Sequence, residues 1–103
     1  MLKKIIILST LLVSPLVVAD DSAEVKALKK DMPQDVAEII SRTVDCNHWG
    51  GEEPSNKARA EQINKALEKL RCDVLEKDQA VIAKNYQNNY EVKVRIQKAK
   101  ELF

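Results

Sequence analysis

The chain has 103 residues, of which 45% are hydrophobic and 32% charged, with 17 lysines and arginines against 16 aspartates and glutamates. This balance excludes the clustered basic excess by which nucleic-acid-binding domains hold phosphates. The length allows one small domain, which buries only about 60% of the surface of its unfolded chain and is therefore marginally stable.

Residues 1–19 have the three parts of a secretion signal. Lys3 and Lys4 form a positive start, residues 5–13 are apolar, and residues 17–19 end in the small residue that suits cleavage. The apolar stretch is shorter than the ~20 residues that span a bilayer and is interrupted by a proline, so we expect cleavage rather than anchoring. Loss of the two lysines turns the formal charge of +1 into about −1. The mature chain is expected to be periplasmic or secreted, without membrane attachment.

The part of the chain after the signal contains the two cysteines, Cys46 and Cys72. In an oxidising compartment two such cysteines are more often paired than free, and we predict a disulfide between them. Closing a loop of about 26 residues would constrain the unfolded chain by roughly 3 to 4 kcal/mol, which is comparable with the whole stability of a small domain. A reactive thiol or a metal ligand is the alternative interpretation.

Two segments with the apolar spacing of a helix precede Cys46. Residues 20–32 form a charged segment in which the spacing of Val25, Leu28 and Met32 allows a short helix. Pro33 suits the first turn of a second helix, because the missing N–H of proline costs nothing there. The helical domain is predicted over residues 33–103. The apolar face of its first helix consists of Val36, Ile39, Ile40 and Val44.

A loop is predicted directly after this helix. Residues 47–54 read Asn-His-Trp-Gly-Gly-Glu-Glu-Pro, and Ser55 is the expected N-cap of the next helix. Residues 55–85 contain neither glycine nor proline, which predicts one long helix. Residues 90–103 are also predicted to be helical. The helical period of this last segment is carried by Val92, Ile96, Ala99 and Phe103.

The long predicted helix has apolar residues on two sides, with Ile63 and Leu67 on one side and Leu75 and Ile82 on the other. We expect such a helix to be sandwiched between the helix after Pro33 and the last segment. The predicted fold is therefore all-α, either a small irregular helical hairpin or a three-helix domain, with one disulfide that ties the loop to the long helix.

The loop contains the candidate binding residues. Loops carry binding residues more often than packed faces do, and this loop contains the only histidine and the only tryptophan of the chain. Trp49 is interpreted either as an anchor for a protein partner or as a plug that closes the core above the disulfide. The candidates are His48, Trp49, Glu52 and Glu53.

A metal site at the loop is the other interpretation of His48, because imidazole and carboxylate groups suit zinc. A single histidine, without a second histidine or a free cysteine pair, lacks the ligand spacing of structural zinc sites. We therefore predict no metal and no cofactor.

No catalytic residues are predicted. The serines at positions 22, 41 and 55 stand in no nucleophile motif. The many carboxylates, with lysines three or four positions away, are typical of a solvated helix face. We expect no enzymatic activity, because no acid–base constellation is recognisable.

The residues around the loop resemble a group of small exported proteins of Gram-negative bacteria that have no assigned function. The likeness depends on the string from Cys46 to Pro54, on Arg59-Ala60 and on residues 70–73, Leu-Arg-Cys-Asp, and it covers residues 32–102. It implies export, a helical fold and a bond between Cys46 and Cys72, and it carries no activity.

A second likeness runs through Cys72, Asp78 and Tyr86, which are similar to the Cys, Asp and Tyr landmarks of the exported LprI lysozyme inhibitors. The chain departs from that pattern because it lacks the additional cysteines and the Leu-Asn pair between the Asp and Tyr landmarks. What this resemblance implies is inhibition of a cell-wall hydrolase.

Two functions follow as hypotheses. The first is a non-enzymatic periplasmic binding or inhibitory protein that blocks a cell-wall hydrolase or a toxin by inserting the loop around Trp49, with a periplasmic protein as its partner. The second is a small structural or stress-related envelope protein whose loop only packs.

Overall fold

The computed structural model describes residues 21–102. The predicted signal, residues 1–19, lies outside the described residues, as do Asp20 and Phe103. The described part is built of five α-helices and a single 3₁₀ turn, without a strand, which confirms the all-α fold class. The elements are α1 (Ala23–Lys29), α2 (Gln34–Gly50), α3 (Lys57–Lys69), the 3₁₀ turn (Cys72–Val74), α4 (Leu75–Asn85) and α5 (Tyr90–Glu101).

Polar side chains begin three of these helices. Ser22, Asn56 and Asn89 each accept a hydrogen bond from the backbone N–H three residues further on, and each satisfies a free N–H of the first turn. The predicted cap Ser55 is wrong by one residue, because the Asn56 side chain takes that position. Pro33 directly precedes α2, and its carbonyl accepts the first helical hydrogen bond.

α2 lies at the centre of the fold and packs against α1, α3, α4 and α5. On its inner face Val36 and Ile40 are 0% exposed, and burial of each such side chain contributes about 1.5 to 3 kcal/mol. The helices predicted before Cys46 and after residue 90 are confirmed. The core consists of Val25, Val36, Ile39, Ile40, Val44, Val92, Ile96 and Ala99.

The long helix predicted over residues 55–85 is wrong, because the chain turns sharply between α3 and α4. Arg71 is left-handed at φ 54°, a conformation that costs a non-glycine residue roughly 1 to 2 kcal/mol. Arg42 on α2 offsets this cost: its Nε donates to the carbonyl of Leu70 at 2.8 Å, and its Nη2 donates to the carbonyl of Arg71 at 2.9 Å. A cation is favourable at this position because the helix dipole is negative at the C-terminus.

The disulfide between Cys46 and Cys72 is confirmed, with 5.7 Å between the Cα atoms, and it joins α2 to the turn that follows α3. Asp78 on α4 is bound at the same turn, since its Oδ2 accepts from Arg42 Nη1 at 2.9 Å and from Arg71 Nη2 at 3.3 Å. These hydrogen bonds, from Arg42 first, lower the pKa of Asp78. The covalent bond and the Arg42 contacts together direct α4 back along α2.

The predicted sandwich around the long helix is also wrong, since its two apolar stripes belong to two different helices. Ile63 is buried on α3, which packs on α2, whereas Leu75 and Ile82 pack on the core from α4. α5 packs mainly on α2 and α1. The central position therefore belongs to α2, and α3 and α4 approach it separately.

A polar contact fixes α4 on α2 within the buried interface. Thr43 and Gln79 are both buried. The hydroxyl of Thr43 donates to the carbonyl of Ile39 at 2.7 Å and accepts from Gln79 Nε2 at 2.8 Å. Because a buried polar group without a partner costs about 1 to 3 kcal/mol, sliding α4 along α2 would be unfavourable.

Side chains from neighbouring helices close the C-termini of three helices. Arg42 binds the end of α3, as described above. Arg95 on α5 donates from Nη1 to the carbonyls of residues 27, 28 and 30 at the end of α1, over 3.0 to 3.2 Å. Asn47 on α2 donates from Nδ2 to the carbonyls of Lys100 and Leu102 at 3.2 and 3.1 Å, at the end of α5. These contacts bind carbonyls at the C-terminal ends of the helices, where the regular helical hydrogen bonds stop.

Replacing both cysteines with alanine is expected to lower the free energy of unfolding by about 2 to 5 kcal/mol, because the bond closes a loop in the unfolded chain. The measurement is urea unfolding followed by far-UV circular dichroism. Dithiothreitol should destabilise the wild-type protein by a similar amount and leave the Cys46→Ala/Cys72→Ala variant unchanged. A variant within about 1 kcal/mol of wild type would contradict a stabilising role for the bond.

Arg42→Lys is expected to lower the free energy of unfolding by on the order of 2 kcal/mol, because an ammonium group keeps the charge but cannot bind all three acceptors as the planar guanidinium does. The same urea experiment measures it. Arg71→Lys is the matched control, because the side chain of Arg71 is 65% exposed. This substitution should change the free energy of unfolding by less than about 0.5 kcal/mol. Equal effects of the two substitutions would show that Arg42 does not support the turn.

Candidate functional site

α2 extends further than the sequence predicts. The loop predicted over residues 47–54 is wrong in its bounds and comprises residues 51–56, because α2 continues to Gly50. Nothing before Gly50 interrupts the helical hydrogen bonds, and the N–H of Gly51 still donates to the carbonyl of Asn47 at 3.0 Å. The Asn47 side chain also ties this last turn to α5.

Because α2 is longer than predicted, the four candidate residues lie in two different elements. His48 and Trp49 are on the last turn of α2, while Glu52 and Glu53 lie on the loop. Trp49 and Glu52 are half-buried, and His48 and Glu53 are exposed. The structure brings Trp49 and Glu52 to a shared partner on α3 and leaves Glu53 apart from it.

The shared partner is Arg59, in the first turn of α3, which covers the indole of Trp49. The guanidinium carbon lies 4.9 Å from the ring centroid, which is the geometry of a cation–π contact. His48 meets the same ring edge-on, with 5.7 Å between the centroids and an interplanar angle of 77°. Among the described residues, the core cluster does not include Trp49. The interpretation of Trp49 as a core plug does not predict this contact with a cation.

Glu52 fixes the guanidinium with two hydrogen bonds. Arg59 Nη2 donates to Glu52 Oε1 at 2.7 Å, and Arg59 Nε donates to Glu52 Oε2. The remaining terminal nitrogen, Nη1, donates to Gln62 Oε1 at 3.0 Å. The hydrogen bonds within the ion pair lower the pKa of Glu52 and raise the pKa of Arg59, so both groups are charged at neutral pH. We call Trp49, Glu52, Arg59 and Gln62 the Trp49 cluster.

The Trp49 cluster closes the loop between α2 and α3 at its base. Glu52 and Arg59 are paired across residues 53–58, every one of which is exposed. Asn56 adds a second contact, since its Oδ1 accepts the backbone N–H of Arg59 at 2.9 Å. The two ends of this exposed loop are therefore held by the cation–π contact of Arg59 with Trp49, by its ion pair with Glu52 and by the helix cap of Asn56.

Asp45 on α2 lies near His48 and near the charged groups of Asp21 and Lys29. Lys29 pairs with Asp21 and donates to the hydroxyl of Ser41 at 2.9 Å. Desolvation and then the charge of Asp21 raise the pKa of Asp45, and the neighbouring His48 and Lys29 oppose this shift. No group of three or more His, Cys, Asp or Glu residues within positions 21–102 is arranged to hold a metal ion. Among these carboxylates, Asp21 is paired with Lys29.

The landmark residues Asp78 and Tyr86 lie on α4 and at its end, where they hold helices together. Asp78 binds Arg42, as described above. The hydroxyl of Tyr86 donates to Asp35 Oδ1 at 2.8 Å, which joins the end of α4 to the start of α2, and this hydrogen bond raises the pKa of Tyr86. In this chain, the contacts of both residues are structural.

Arg59 and Gln62 belong to the site but are not among the residues predicted for it. Their spacing of three residues puts both on one face of α3, yet the contact with Trp49 depends on how α3 lies against α2. No spacing rule relates residues on the two sides of a loop. The one signal in the sequence is that Arg59 belongs to the residues from which the resemblance to small exported proteins is predicted.

The Trp49 cluster is expected to persist from neutral pH down to about pH 4.3, the ordinary pKa of a glutamate, and to be lost as the pH falls through the lowered pKa of Glu52. The sign follows from the direction of the shift: a lowered pKa in the folded protein means that the ionised form is favoured, so protonation removes the contact. The fluorescence of Trp49, the only tryptophan, measures it.

Glu52→Gln is the control for this titration. It should alter the fluorescence at neutral pH and abolish the acid transition, while far-UV circular dichroism shows whether the helices remain. An identical acid transition in both proteins would mean that another group controls the environment of Trp49.

The chain matches no family model, no curated protein and no solved structure. The site is therefore interpreted from the contacts of its own residues. An aromatic ring, an ion pair and a helix cap together support one exposed loop.

Proposed function

We propose that this chain is a non-enzymatic periplasmic or secreted protein that binds and inhibits a cell-wall hydrolase. The observation that carries the proposal is the Trp49 cluster beneath an exposed loop, where the stacked ring and the ion pair limit the arrangements of residues 53–58. A surface that is already ordered loses little conformational entropy on association, which favours tight binding.

The residue types around the loop support a protein partner. Tryptophan and arginine are enriched at the residues that dominate binding energy in protein interfaces, and charged side chains are common at the rim. Trp49 and Arg59 are half-buried at the base of the loop, and His48 and Glu53 are exposed beside them. This is the distribution expected of a small, ordered contact surface.

The export predicted from residues 1–19 supports a partner outside the cytoplasm. Residues 1–19 carry the signal pattern, and the disulfide between Cys46 and Cys72 is compatible with an oxidising compartment. None of the helices between residues 21 and 102 has both the length and the hydropathy to cross a bilayer. A periplasmic or secreted location follows as part of the proposal.

The geometry of the acidic residues supports binding rather than catalysis. Glu52 is engaged with Arg59, and Asp78 with Arg42 and Arg71. Both carboxylates have lowered pKa values, which makes them poor general acids and weak bases at neutral pH.

The choice of a hydrolase as the partner depends on the likeness of Cys72, Asp78 and Tyr86 to the LprI lysozyme inhibitors. Because these residues support the helices in this chain, the likeness favours a related scaffold, and we assign the contact surface to the loop. The second hypothesis, a structural or stress-related envelope protein, requires no partner at the loop.

The mature protein is expected to slow the lysis of cell walls by lysozyme in a turbidity assay. Trp49→Ala removes the ring beneath Arg59 and should raise the inhibition constant by at least about tenfold. Tyr90→Ala is the matched control, because Tyr90 is an aromatic residue that is 78% exposed and stands at the opposite end of α5 from the carbonyls that Asn47 binds. It should inhibit like the wild type.

Circular dichroism of both variants establishes that they remain folded. If the wild-type protein neither inhibits nor binds lysozyme, hydrolase inhibition is wrong and the envelope-protein hypothesis is favoured. If Tyr90→Ala is as defective as Trp49→Ala, the loop is not the contact surface.

A further inference from the structure

We infer that the disulfide between Cys46 and Cys72 is a redox-sensitive switch for the position of α3. When a dithiol reduces this bond, α3 and the turn after it separate from α2, while the core formed by α1, α2, α4 and α5 stays folded. Oxidation returns α3 to its place. The inference goes beyond the proposed inhibition of a hydrolase and does not depend on it.

The packing of α3 makes it the element that can separate from the rest. Among residues 21–102, neither the core cluster nor the half-buried apolar side chains that pack on it include a residue of α3. α3 packs on α2 and on the turn, and Ile63 is its one buried residue within the part of the chain that the structure describes. Segments with few buried apolar contacts open locally at a lower free energy than the rest of a protein.

The adjacent helix α4 is different. Leu75 and Ile82 of α4 pack directly on the core cluster. The buried Gln79 donates from Nε2 to the hydroxyl of Thr43 at 2.8 Å. α4 therefore stays on α2 without the disulfide, and the part that can open lies between the loop after α2 and the start of α4.

The two ends of α3 are held by different kinds of contact. At its first turn, Arg59 stacks on Trp49 and pairs with Glu52, and a reductant does not act on these groups. At its C-terminal end, the chain is held by Arg42 and by the bond between Cys46 and Cys72. Reduction therefore acts on the C-terminal end of α3, and the opening begins there.

Arg42 positions this end of α3 but does not retain it once the bond is broken. The Arg42 side chain is 23% exposed, so water can replace the carbonyls of Leu70 and Arg71 as its acceptors. Its hydrogen bond from Nη1 to Asp78 at 2.9 Å does not involve α3, so the guanidinium stays paired after opening. Opening also releases Arg71 from its left-handed conformation at φ 54°, which is unfavourable for a residue other than glycine.

The exposure of the two cysteines determines how the bond is reduced. Cys46 is only 7% exposed, whereas Cys72 is half-buried and lines the open groove between α3 and the turn. A thiolate of the reductant attacks Cys72 Sγ, and the electron pair of the disulfide leaves on Cys46 Sγ, which takes up a proton. The second thiol of the reductant then attacks the mixed disulfide and releases Cys72 as a thiol. The protein gains two electrons and two protons, and the dithiol becomes a disulfide.

Opening uncovers an apolar surface that the oxidised protein keeps against α2. This surface consists of the inner face of α3, with the buried Ile63 and the half-buried Leu67 and Leu70. The oxidised and reduced proteins therefore differ in the surface that they present, although they share one core.

The test is hydrogen–deuterium exchange of the mature protein, measured by mass spectrometry with and without dithiothreitol. Reduction should lower the protection of the α3 amides at least about tenfold more than that of the α5 amides. α5 is the internal control, because Val92, Ile96 and Ala99 place it in the core, and its protection shows that the fold persists.

The Cys46→Ala/Cys72→Ala variant is the control for the reductant. It should exchange like the reduced wild-type protein, and dithiothreitol should not change its exchange. The reduced wild-type protein decides the question if this variant does not fold.

Two results would overturn the switch. Equal loss of protection in α3 and α5 would mean that the bond stabilises the whole fold and that α3 does not open separately. Unchanged protection of α3 after complete reduction would mean that Arg42 and the Trp49 cluster hold it without the bond. Neither result bears on the inhibition of lysozyme, which the turbidity assay tests with the oxidised protein.

Discussion

The guanidinium of Arg42 is the contact on which the arrangement of α3 and α4 around α2 depends. From its place on α2 it binds the carbonyls of Leu70 and Arg71 and the carboxylate of Asp78, which belong to the end of α3, to the turn and to α4. These bonds stabilise a left-handed arginine where the sequence has no glycine. They also bring Cys72 to within bonding distance of Cys46 and let α4 return along α2. The opposite end of α3 is held on α2 by the contact of Arg59 with Trp49.

The parts of the fold that the sequence predicts are those determined by neighbours along the chain. The apolar periods of α1, α2 and α5 are local properties, and Val36, Ile40, Val92 and Ile96 are buried as their spacing indicates. The disulfide is predicted from the expected export and from the presence of two cysteines. The break after Lys69 is different, because every residue from 55 to 85 is compatible with a helix. The end of α3 is bound by Arg42, which lies 28 positions earlier in the chain. The apolar periodicity of a sequence cannot predict a contact over such a separation.

The candidate site shows the same division between local and distant determinants. Composition is sufficient to single out His48, Trp49, Glu52 and Glu53, because rare residue types and carboxylates are concentrated in one stretch. Composition does not reveal that Trp49 lies on a helix, since α2 continues through residues 47–49 and ends only at Gly50. Composition also does not predict that Arg59 belongs to the site. Its guanidinium lies over the ring of Trp49 in a cation–π contact.

The manner in which the helices end has a consequence for how the protein folds. α1, α3 and α5 are each terminated by an arginine or an asparagine that belongs to a different helix, and the two glycines of the chain both lie at the end of α2. A helix that ends at a local glycine can form with the same boundaries in isolation, but a helix that ends on a distant side chain cannot. Secondary structure and tertiary structure should therefore appear together in this protein, in a single cooperative step. Peptides that correspond to the separate helices would fray at their C-terminal ends.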